Sequence, residues 1–318
     1  MIKHKIPSTH EEWLADRRVG IGGSDAGVIL GYSPYKSPYT LWAEKCGLID
    51  DEVPDNYYMR DGRDIEEIVA KRFAEEEDVK VSKSTYSYQS EEHPFMLGNI
   101  DRWIKRGKIG LEIKTMDVRK RINLDGGDIP PQYYAQCVHY MAVTGAEEWW
   151  IAIWQYGQPL RKYCIKRDEE EIQALIEAEE AFWKCVETGT PPEIDGSEST
   201  SETLKQLHPT AEDQEITLIR SEEAEQWKSF DQHIKDVKEK LKLLENEKKA
   251  IENTFKADME DAKFAVCDDL KITWTRFDSN RFDITEFKKS EPELYEQLFE
   301  KYHKTTKSDR LTIKKIEM

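Results

Sequence analysis

Two strand-like runs, Phe95 to Ile104 and Lys108 to Thr115, enclose a short Lys-Arg-Gly turn in the stretch FMLGNIDRWIKRGKIGLEIKT, residues 95–115. Runs of β-branched and aromatic residues on both sides of a Gly-containing turn predict a β-hairpin. One acidic residue occurs in each run, Asp101 in the first and Glu112 in the second. The predicted hairpin therefore carries two carboxylates within strands.

Helical and strand patterns alternate around this hairpin, so residues 1–195 are predicted to form one mixed α/β domain. A glycine-rich turn spans Gly20 to Asp25, and a helix is expected to open near Ser24 as its N-cap. A β-prone strand is predicted at Trp149 to Tyr156. Five further helices are predicted at residues 11–18, 37–46, 64–77, 133–143 and 169–188.

The last third of the chain differs in composition. Residues 189–213 are rich in Thr, Pro, Ser and Glu, so 196–220 is predicted to be a linker. Residues 221–262 contain no Gly or Pro and keep heptad spacing, which predicts a long helix that packs on another helix. Residues 263–318 are predicted to be a small α+β extension, with strands at 271–277 and 311–316 and a helix at 284–301.

Composition excludes several classes of protein. The five cysteines never occur as CxxC and no HExxH is present, which disfavours a zinc ribbon, a disulfide framework and a histidine-based zinc hydrolase. No apolar run is long enough for a membrane helix and no secretory h-region is recognisable, so a cytoplasmic protein is expected.

Charge is unevenly distributed along the chain. The net charge of −17 is unusual for a protein that binds nucleic acid. Residues 102–121, however, contain eight basic residues against the two acids Glu112 and Asp117. Such a stripe can bind DNA on an otherwise acidic protein. The basic residues are Arg102, Lys105, Arg106, Lys108, Lys114, Arg119, Lys120 and Arg121.

The spacing Glu112-x-Lys114 predicts chemistry at the hairpin. Residues two apart on a strand project from the same face, and the preceding run can bring Asp101 alongside. Carboxylate oxygens are the ligands that Mg²⁺ prefers, and an ammonium group beside them can contact a phosphate. Asp101, Glu112 and Lys114 are therefore candidates for a metal-dependent phosphodiesterase site.

Four segments in order give the chain a family resemblance: Arg18-x-Gly-Ile-Gly-Gly-Ser-Asp25 with Gly31-Tyr-Ser-Pro-Tyr35, Gly62-x-x-x-Glu66, Asp101 with Glu112-x-Lys114, and Pro130-x-x-Tyr-x-x-Gln136. Over about residues 10–190 the chain resembles the YqaJ family of phage-type recombination exonucleases. That family is related to the lambda exonuclease and belongs to the PD-(D/E)XK superfamily. The resemblance implies a restriction-endonuclease-like core, a central mixed sheet flanked by helices.

The same resemblance implies roles for individual residues. Asp101 and Glu112 would be shared ligands of two Mg²⁺ ions, for which Mn²⁺ may substitute, with the carbonyl of Ile113 nearby. Glu66 would complete the second metal site, and the adjacent Glu67 is the alternative. The attacking water would be positioned by Lys114 and Gln136. The 5′-phosphate of the DNA end would be bound by Arg18 and Ser24, whereas Asn99 stands where the family leads us to expect a hydroxyl.

The implied activity is 5′ to 3′ exonucleolytic digestion of linear double-stranded DNA, which leaves 3′ overhangs for recombination by single-strand annealing. A RecT-type annealing protein is the expected partner and a trimer the expected assembly, in the bacterial host cytoplasm. Three alternatives remain: an endonuclease, a helicase-associated exonuclease and a non-catalytic DNA-end binder. The cysteines do not fit the iron–sulfur nucleases related to Cas4.

Overall fold

The computed structural model describes residues 1–6, 9–50, 57–116, 129–210 and 219–304. The chain divides into two compact units, Met1–Ala211 and Glu212–Met318. The strand predicted at 311–316 lies outside the described residues, as do Arg119, Lys120 and Arg121 of the basic stripe. Within the described part of the chain, no helix is long and apolar enough to span a bilayer.

The first unit is mixed α/β, as the sequence predicts. Its strands form a five-stranded sheet in the order β3-β6-β7-β8-β9 and a four-stranded sheet in the order β1-β4-β5-β2. The strands are β1 (Ile2–Lys5), β2 (Ile21–Gly22), β3 (Ser82–Lys83), β4 (Tyr86–Gln89), β5 (Met96–Asn99), β6 (Arg102–Lys105), β7 (Ile109–Met116), β8 (Glu148–Gln155) and β9 (Arg161–Lys166).

Seven helices belong to the described part of this unit, and five lie at or close to their predicted positions. They are α1 (His10–Arg18), α2 (Gly23–Ile29), α3 (Pro38–Lys45), α4 (Tyr57–Glu77), α5 (Pro131–Thr144), α6 (Glu169–Thr188) and α7 (Glu198–Leu207). Ser24 is not the N-cap of α2, because Gly22 occupies that position with an extended backbone. Asp25 accepts the Gly22 amide at 3.0 Å, so a carboxylate one turn into the helix replaces the predicted serine cap.

The larger sheet is mixed. Strands β7 and β8 pair in parallel over eight residues, whereas β6 and β9 flank them in antiparallel orientation. Successive residues of β7 face opposite sides of the sheet. Leu111 and Ile113 pack with α4, and Gln136 of α5 reaches Glu112 from the other side. Glu112 therefore faces α5 because its apolar neighbours face α4.

The predicted first strand of the hairpin is interrupted. Phe95 to Ile104 forms two strands, β5 and β6, which belong to different sheets. Ile100 and Asp101 lie in the break, where the chain crosses from one sheet to the other. Asp101 is thereby released from ladder pairing, and its side chain is free to turn towards β7.

The predicted linker 196–220 is wrong over its first half, since Glu198–Leu207 is helix α7 within the first unit. Thr200 and Thr203 are buried there. Thr200 donates to Ser37 at 2.8 Å, and Thr40 contacts Thr203 at 2.8 Å. Hydroxyl groups rather than large apolar side chains dock this helix, so its composition resembles that of a loop.

The second unit contains the predicted long helix, α8 (Ser221–Met259), which is 39 residues long. An antiparallel hairpin follows, β10 (Phe264–Cys267) and β11 (Leu270–Thr273), and then α9 (Ile284–Ser290) and α10 (Pro292–Tyr302). The strand predicted at 271–277 is thus the second strand of a hairpin and begins and ends earlier. The helix predicted at 284–301 is two helices, because Pro292 begins the second.

Candidate active site

Asp101 lies between the two sheets with its carboxylate turned to β7. Its Oδ2 accepts the backbone amide of Ile113 at 3.1 Å. Burial, and then the negative charge of Glu112, raise the pKa of Asp101 from 3.8 to about 7, and Lys114, the Ile113 amide and Arg102 limit the rise. The negative charge of Glu112 therefore disfavours a second negative charge on the nearby Asp101.

Glu112 is almost fully buried, at 2% exposure. Its Oε1 accepts Nε2 of Gln136 at 2.8 Å and lies 2.7 Å from Nζ of Lys114. Its Oε2 is buried and has no hydrogen-bond partner among the described residues. A buried carboxylate oxygen without a donor is costly, so this atom is the natural place for a bound cation.

Lys114 follows Glu112 on the same face of β7. Its ammonium group lies 5.1 Å from the centre of the Tyr133 ring. Burial opposes the charged form, but the charge of Glu112, its hydrogen bond and the charge of Asp101 raise the pKa of Lys114 above its ordinary value. Lys114 therefore stays cationic near neutral pH. One positive charge faces two carboxylates, which leaves the cluster short of positive charge.

Gln136 belongs to a chain of hydrogen bonds. The sequence predicts Gln136 as a site residue but does not predict the other members of the chain. The Nε2 of Gln136 also donates to the hydroxyl of Tyr140 at 2.9 Å, and that hydroxyl donates to the carbonyl of Asn99 at 2.9 Å. Tyr140 follows Gln136 by four residues and so shares its face of α5. This spacing was the only available signal for Tyr140. The chain fixes the Gln136 amide against Glu112.

Glu66 lies near the cluster but is bound by another residue. Arg102, a buried residue of β6, places Nη1 2.6 Å from Oε1 of Glu66 and Nη2 2.9 Å from Oε2 of Glu67. Burial, and then the charge of Asp101, raise the pKa of Glu66, while Arg102 and Lys83 lower it. Glu66 is 26% exposed and Glu67 is 80% exposed. Glu66 is therefore close enough to Asp101 for the two carboxylates to repel each other.

The residues fit a divalent cation, since carboxylate oxygens and an orphaned buried Oε2 are the donors that Mg²⁺ or Mn²⁺ takes. Within the described ranges, no three His, Cys, Asp or Glu side chains converge into a full ligand set. Asp101 and Glu112 are brought together, whereas Glu66 is drawn towards Arg102. The first site is thus better formed than the second.

A cleft of about 280 Å³ is lined by Tyr140, whose hydroxyl accepts the hydrogen bond from Gln136. Ser24 and Asn99 line the same cleft, but its described lining contains Arg17 and not Arg18. Asp25 lies 3.6 Å from Arg17 and 2.7 Å from the buried ammonium of Lys45, which anchors this wall. Polar side chains line this cleft together with apolar ones such as Val19 and Leu97. The polar residues are His4, Asp16, Arg17, Ser24, Ser87, Gln89 and Asn99.

Comparison with known proteins shows to which family this chain belongs. The model of the YqaJ-like viral recombinase domain matches residues 12–147. The uncharacterized protein YqaJ of Bacillus subtilis (strain 168) is 32% identical over 301 residues, which cover 93% of this chain and 92% of that protein. The chain belongs to the YqaJ-like viral recombinase family. The resemblance read from its motifs is confirmed.

Solved structures of exonucleases are similar at lower identity. An alkaline exonuclease (LHK-Exo) from Laribacter hongkongensis is 19% identical with a TM-score of 0.48, covering 57% of this chain and 94% of that one. A phage related exonuclease from Haemophilus somnus 129PT is 13% identical with a TM-score of 0.43, covering 56% and 99%.

As a YqaJ-like protein in which Asp101 and Lys114 lie beside the buried Glu112, the chain is a nuclease of recombination. The match to residues 12–147 spans every segment that carries a candidate site residue, from Arg18 to Gln136. The second unit, from Glu212, lies outside that match. All of the candidate site residues therefore belong to the first unit.

Proposed function

We propose that the protein is a Mg²⁺-dependent exonuclease that digests one strand of linear double-stranded DNA from 5′ to 3′. The single observation that carries the proposal is the buried, unpartnered Oε2 of Glu112 beside Asp101, whose pKa is about 7. This pair needs more positive charge than Lys114 supplies. A divalent cation is the charge that the donors suit.

Asp101, Glu112 and the carbonyl of Ile113 would hold the first ion, and Glu66 would contribute to a second. A bound ion of this kind activates water and offsets charge on the phosphate. Lys114 contributes a fixed cation beside the scissile phosphate, and Gln136 orients Glu112 through its 2.8 Å hydrogen bond. For Glu66 to act, its ion pair with Arg102 must exchange for the ion.

The polar side chains of this cleft support recognition of a DNA end. Ser24 and Asn99 line it, and Tyr140 connects it to Gln136 and Glu112 through hydrogen bonds. A phosphate in this cleft would lie beside the catalytic cluster, as an enzyme that starts at a 5′ end requires. Arg18 is exposed at the end of α1, next to the lining residue Arg17, and would reach the phosphate from the rim.

We also propose a partner protein, an assembly and a cellular location for this nuclease. A recombination nuclease that leaves 3′ overhangs needs a single-strand annealing protein, and a RecT-type partner fits that need. Residues 102–116, the strands β6 and β7 and their turn, contain five basic side chains on a chain of net charge −17. A trimeric ring with a basic channel, in the bacterial cytoplasm, would reconcile that net charge with DNA binding.

Linear duplexes labelled at either the 5′ or the 3′ end, with and without a 5′-phosphate, test this proposal. We expect Mg²⁺-dependent release of 5′ label as mononucleotide and survival of the 3′-labelled strand as it shortens. Release from the 3′ end first would contradict the polarity. Cleavage of closed circular duplex would indicate an endonuclease, and binding without cleavage would indicate an end binder.

The 5′-phosphate assignment predicts that Arg18→Ala lowers the preference for phosphorylated over hydroxyl ends. Losing a charge-assisted hydrogen bond costs about 1.5–3 kcal/mol, or roughly ten- to a hundredfold in that ratio. Rates on the two substrates give the ratio directly. Arg63→Ala, an exposed arginine of α4, is the control. An unchanged ratio in Arg18→Ala would place the phosphate elsewhere, with Arg17 the next residue to substitute.

A further inference from the structure

A stripe of large apolar side chains runs along α8 and is exposed. Seven residues that follow the heptad spacing are between 39% and 66% exposed. Aliphatic and aromatic groups at this spacing form a seam that a second helix normally covers. The seven residues are Trp227, Phe230, Ile234, Val237, Leu241, Leu244 and Ile251.

The length of the stripe limits what can cover it. From Trp227 to Ile251 it spans about 37 Å at 1.5 Å per residue. The other described helices of the second unit, α9 and α10, have 7 and 11 residues, so the longer extends about 16 Å. Neither α9 nor α10 is therefore long enough to cover the stripe. A second copy of α8, with 39 residues, is long enough.

We propose that the stripe is covered by α8 of a second copy of this chain, running antiparallel, with Leu241 of one copy opposite Leu244 of the other. The same register places Ile234 opposite Ile251 and Phe230 opposite Phe255. Val237 then faces Lys248, whose aliphatic stem can lie along the seam. The inference does not depend on the proposed nuclease specificity.

Charges beside the seam favour this arrangement. In an antiparallel pair, a residue that flanks the seam contacts the residue at the equivalent heptad position of the other helix. In the proposed register Lys240 meets Glu247 and Lys238 meets Glu245, and the two-fold axis repeats each contact. Within the described chain, none of these four residues forms a salt bridge inside its own copy. They are therefore available for contacts between copies.

One like-charge contact arises in this register, between Asp231 and Glu252. Each of these carboxylates already has a lysine on its own helix. Lys235 lies 2.7 Å from Asp231, and Lys248 lies 3.7 Å from Glu252. The contact therefore joins two neutralised pairs, and its repulsion is reduced.

Other arrangements of two α8 helices bring like charges together. A parallel pair would place Glu247 against Glu252 and the two copies of Lys248 side by side in the seam. An antiparallel pair shifted by one heptad towards the N-terminus would place Lys240 against Lys240 and Lys238 against Lys238. A shift in the other direction would place Glu247 against Glu247. Opposed like charges weaken helix pairing, so the proposed register is favoured.

Cysteine cross-linking of the full-length chain distinguishes these arrangements. Leu241→Cys and Leu244→Cys are made as separate proteins in a background with the exposed Cys164 and Cys267 replaced by serine. We expect a cross-linked dimer on mild oxidation only when the two proteins are co-expressed, because the thiol introduced in one then meets the thiol introduced in the other. Cross-linking of either protein alone would indicate a parallel pair. No cross-link in the co-expressed sample would overturn the proposal.

A charge exchange supplies a second test that does not alter the apolar seam. Lys240→Glu turns two attractive contacts into repulsive ones and should weaken self-association by about tenfold or more. Lys240→Glu with Glu247→Lys should restore it, whereas the matched Lys240→Glu with Glu245→Lys should not. Sedimentation velocity measures all three, with circular dichroism to verify helix content. Rescue by the change at Glu245, or no effect of Lys240→Glu, would contradict the antiparallel register.

Discussion

At the scale of single residues, His139 of α5 and Glu179 of α6 form a buried pair. Both are fully buried, with Nδ1 of His139 2.7 Å from Oε1 of Glu179 and Nε2 2.9 Å from the carbonyl of Leu97. Burial opposes the charged ring, but the charge and hydrogen bond of Glu179 and the carbonyl of Leu97 raise the pKa of His139 above 6.5. Both ring nitrogens thus face acceptors.

This pair predicts a specific pH dependence of stability. A raised pKa in the folded state means that the contribution of His139 is complete below pH 6.5 and is lost as pH rises through the folded-state pKa. Urea unfolding should therefore give a free energy that falls as the pH rises above 6.5. His139→Gln alone, which leaves a buried carboxylate unpaired, should cost about 3–5 kcal/mol.

The double variant His139→Gln with Glu179→Gln is the matched control. It keeps the side-chain volume and removes both ionisable groups, so it should be more stable than His139→Gln and have a flatter pH profile than the unsubstituted protein. Parallel profiles for the double variant and the unsubstituted protein would contradict the role of this pair.

The residues of the site were predictable to different degrees. Asp101, Glu112 and Lys114 were predicted because strand alternation is a local property of the chain, whereas Gln136 was implied by the family resemblance. The ion pair of Arg102 with Glu66 and Glu67 was not, since it joins residues 35 or 36 positions apart. The His139–Glu179 pair, 40 residues apart, also depends on how α5 packs on α6.

At the scale of elements, β7 and β8 depend on a close approach at Gly110. A Cβ at this position would lie 2.5 Å from the ring of Trp149, which is fully buried. Gly110→Ala should therefore destabilise the protein by about 1–3 kcal/mol through overpacking. Urea unfolding compares it with Gly196→Ala, where an added Cβ has nothing within 4 Å. Equal stabilities of the two variants would contradict the packing described.

Each mispredicted element has its own physical cause. The β5–β6 break was read as one strand because the apolar residues continue through Ile100, whereas a change of sheet is decided by tertiary pairing. Strand β9 was missed because it pairs at the edge of the sheet with mostly half-exposed residues. Helix α7 was read as linker because hydroxyl groups dock it.

At the scale of the whole molecule, the boundary near Ala211 predicts how the chain can be divided. A fragment of residues 1–211 keeps α7 and should retain nuclease activity and a cooperative thermal transition. A fragment of residues 1–195 loses the buried Thr200 and Thr203 and leaves Ser37 and Thr40 without these partners. It should melt at a lower temperature. Equal melting temperatures would show that α7 does not stabilise the first unit.

The proposed nuclease activity requires that Asp101 and Glu112 form a metal-dependent centre that cuts DNA. Digestion of linear duplex DNA by Glu112→Gln in Mg²⁺ tests it most directly, because this substitution keeps the side-chain shape and removes the charge beside the unpartnered oxygen. Glu67→Gln, at an 80% exposed position, is the matched control. We expect a folded Glu112→Gln protein that is at least about a hundredfold slower than Glu67→Gln. Equal rates of the two variants in Mg²⁺ would contradict the claim.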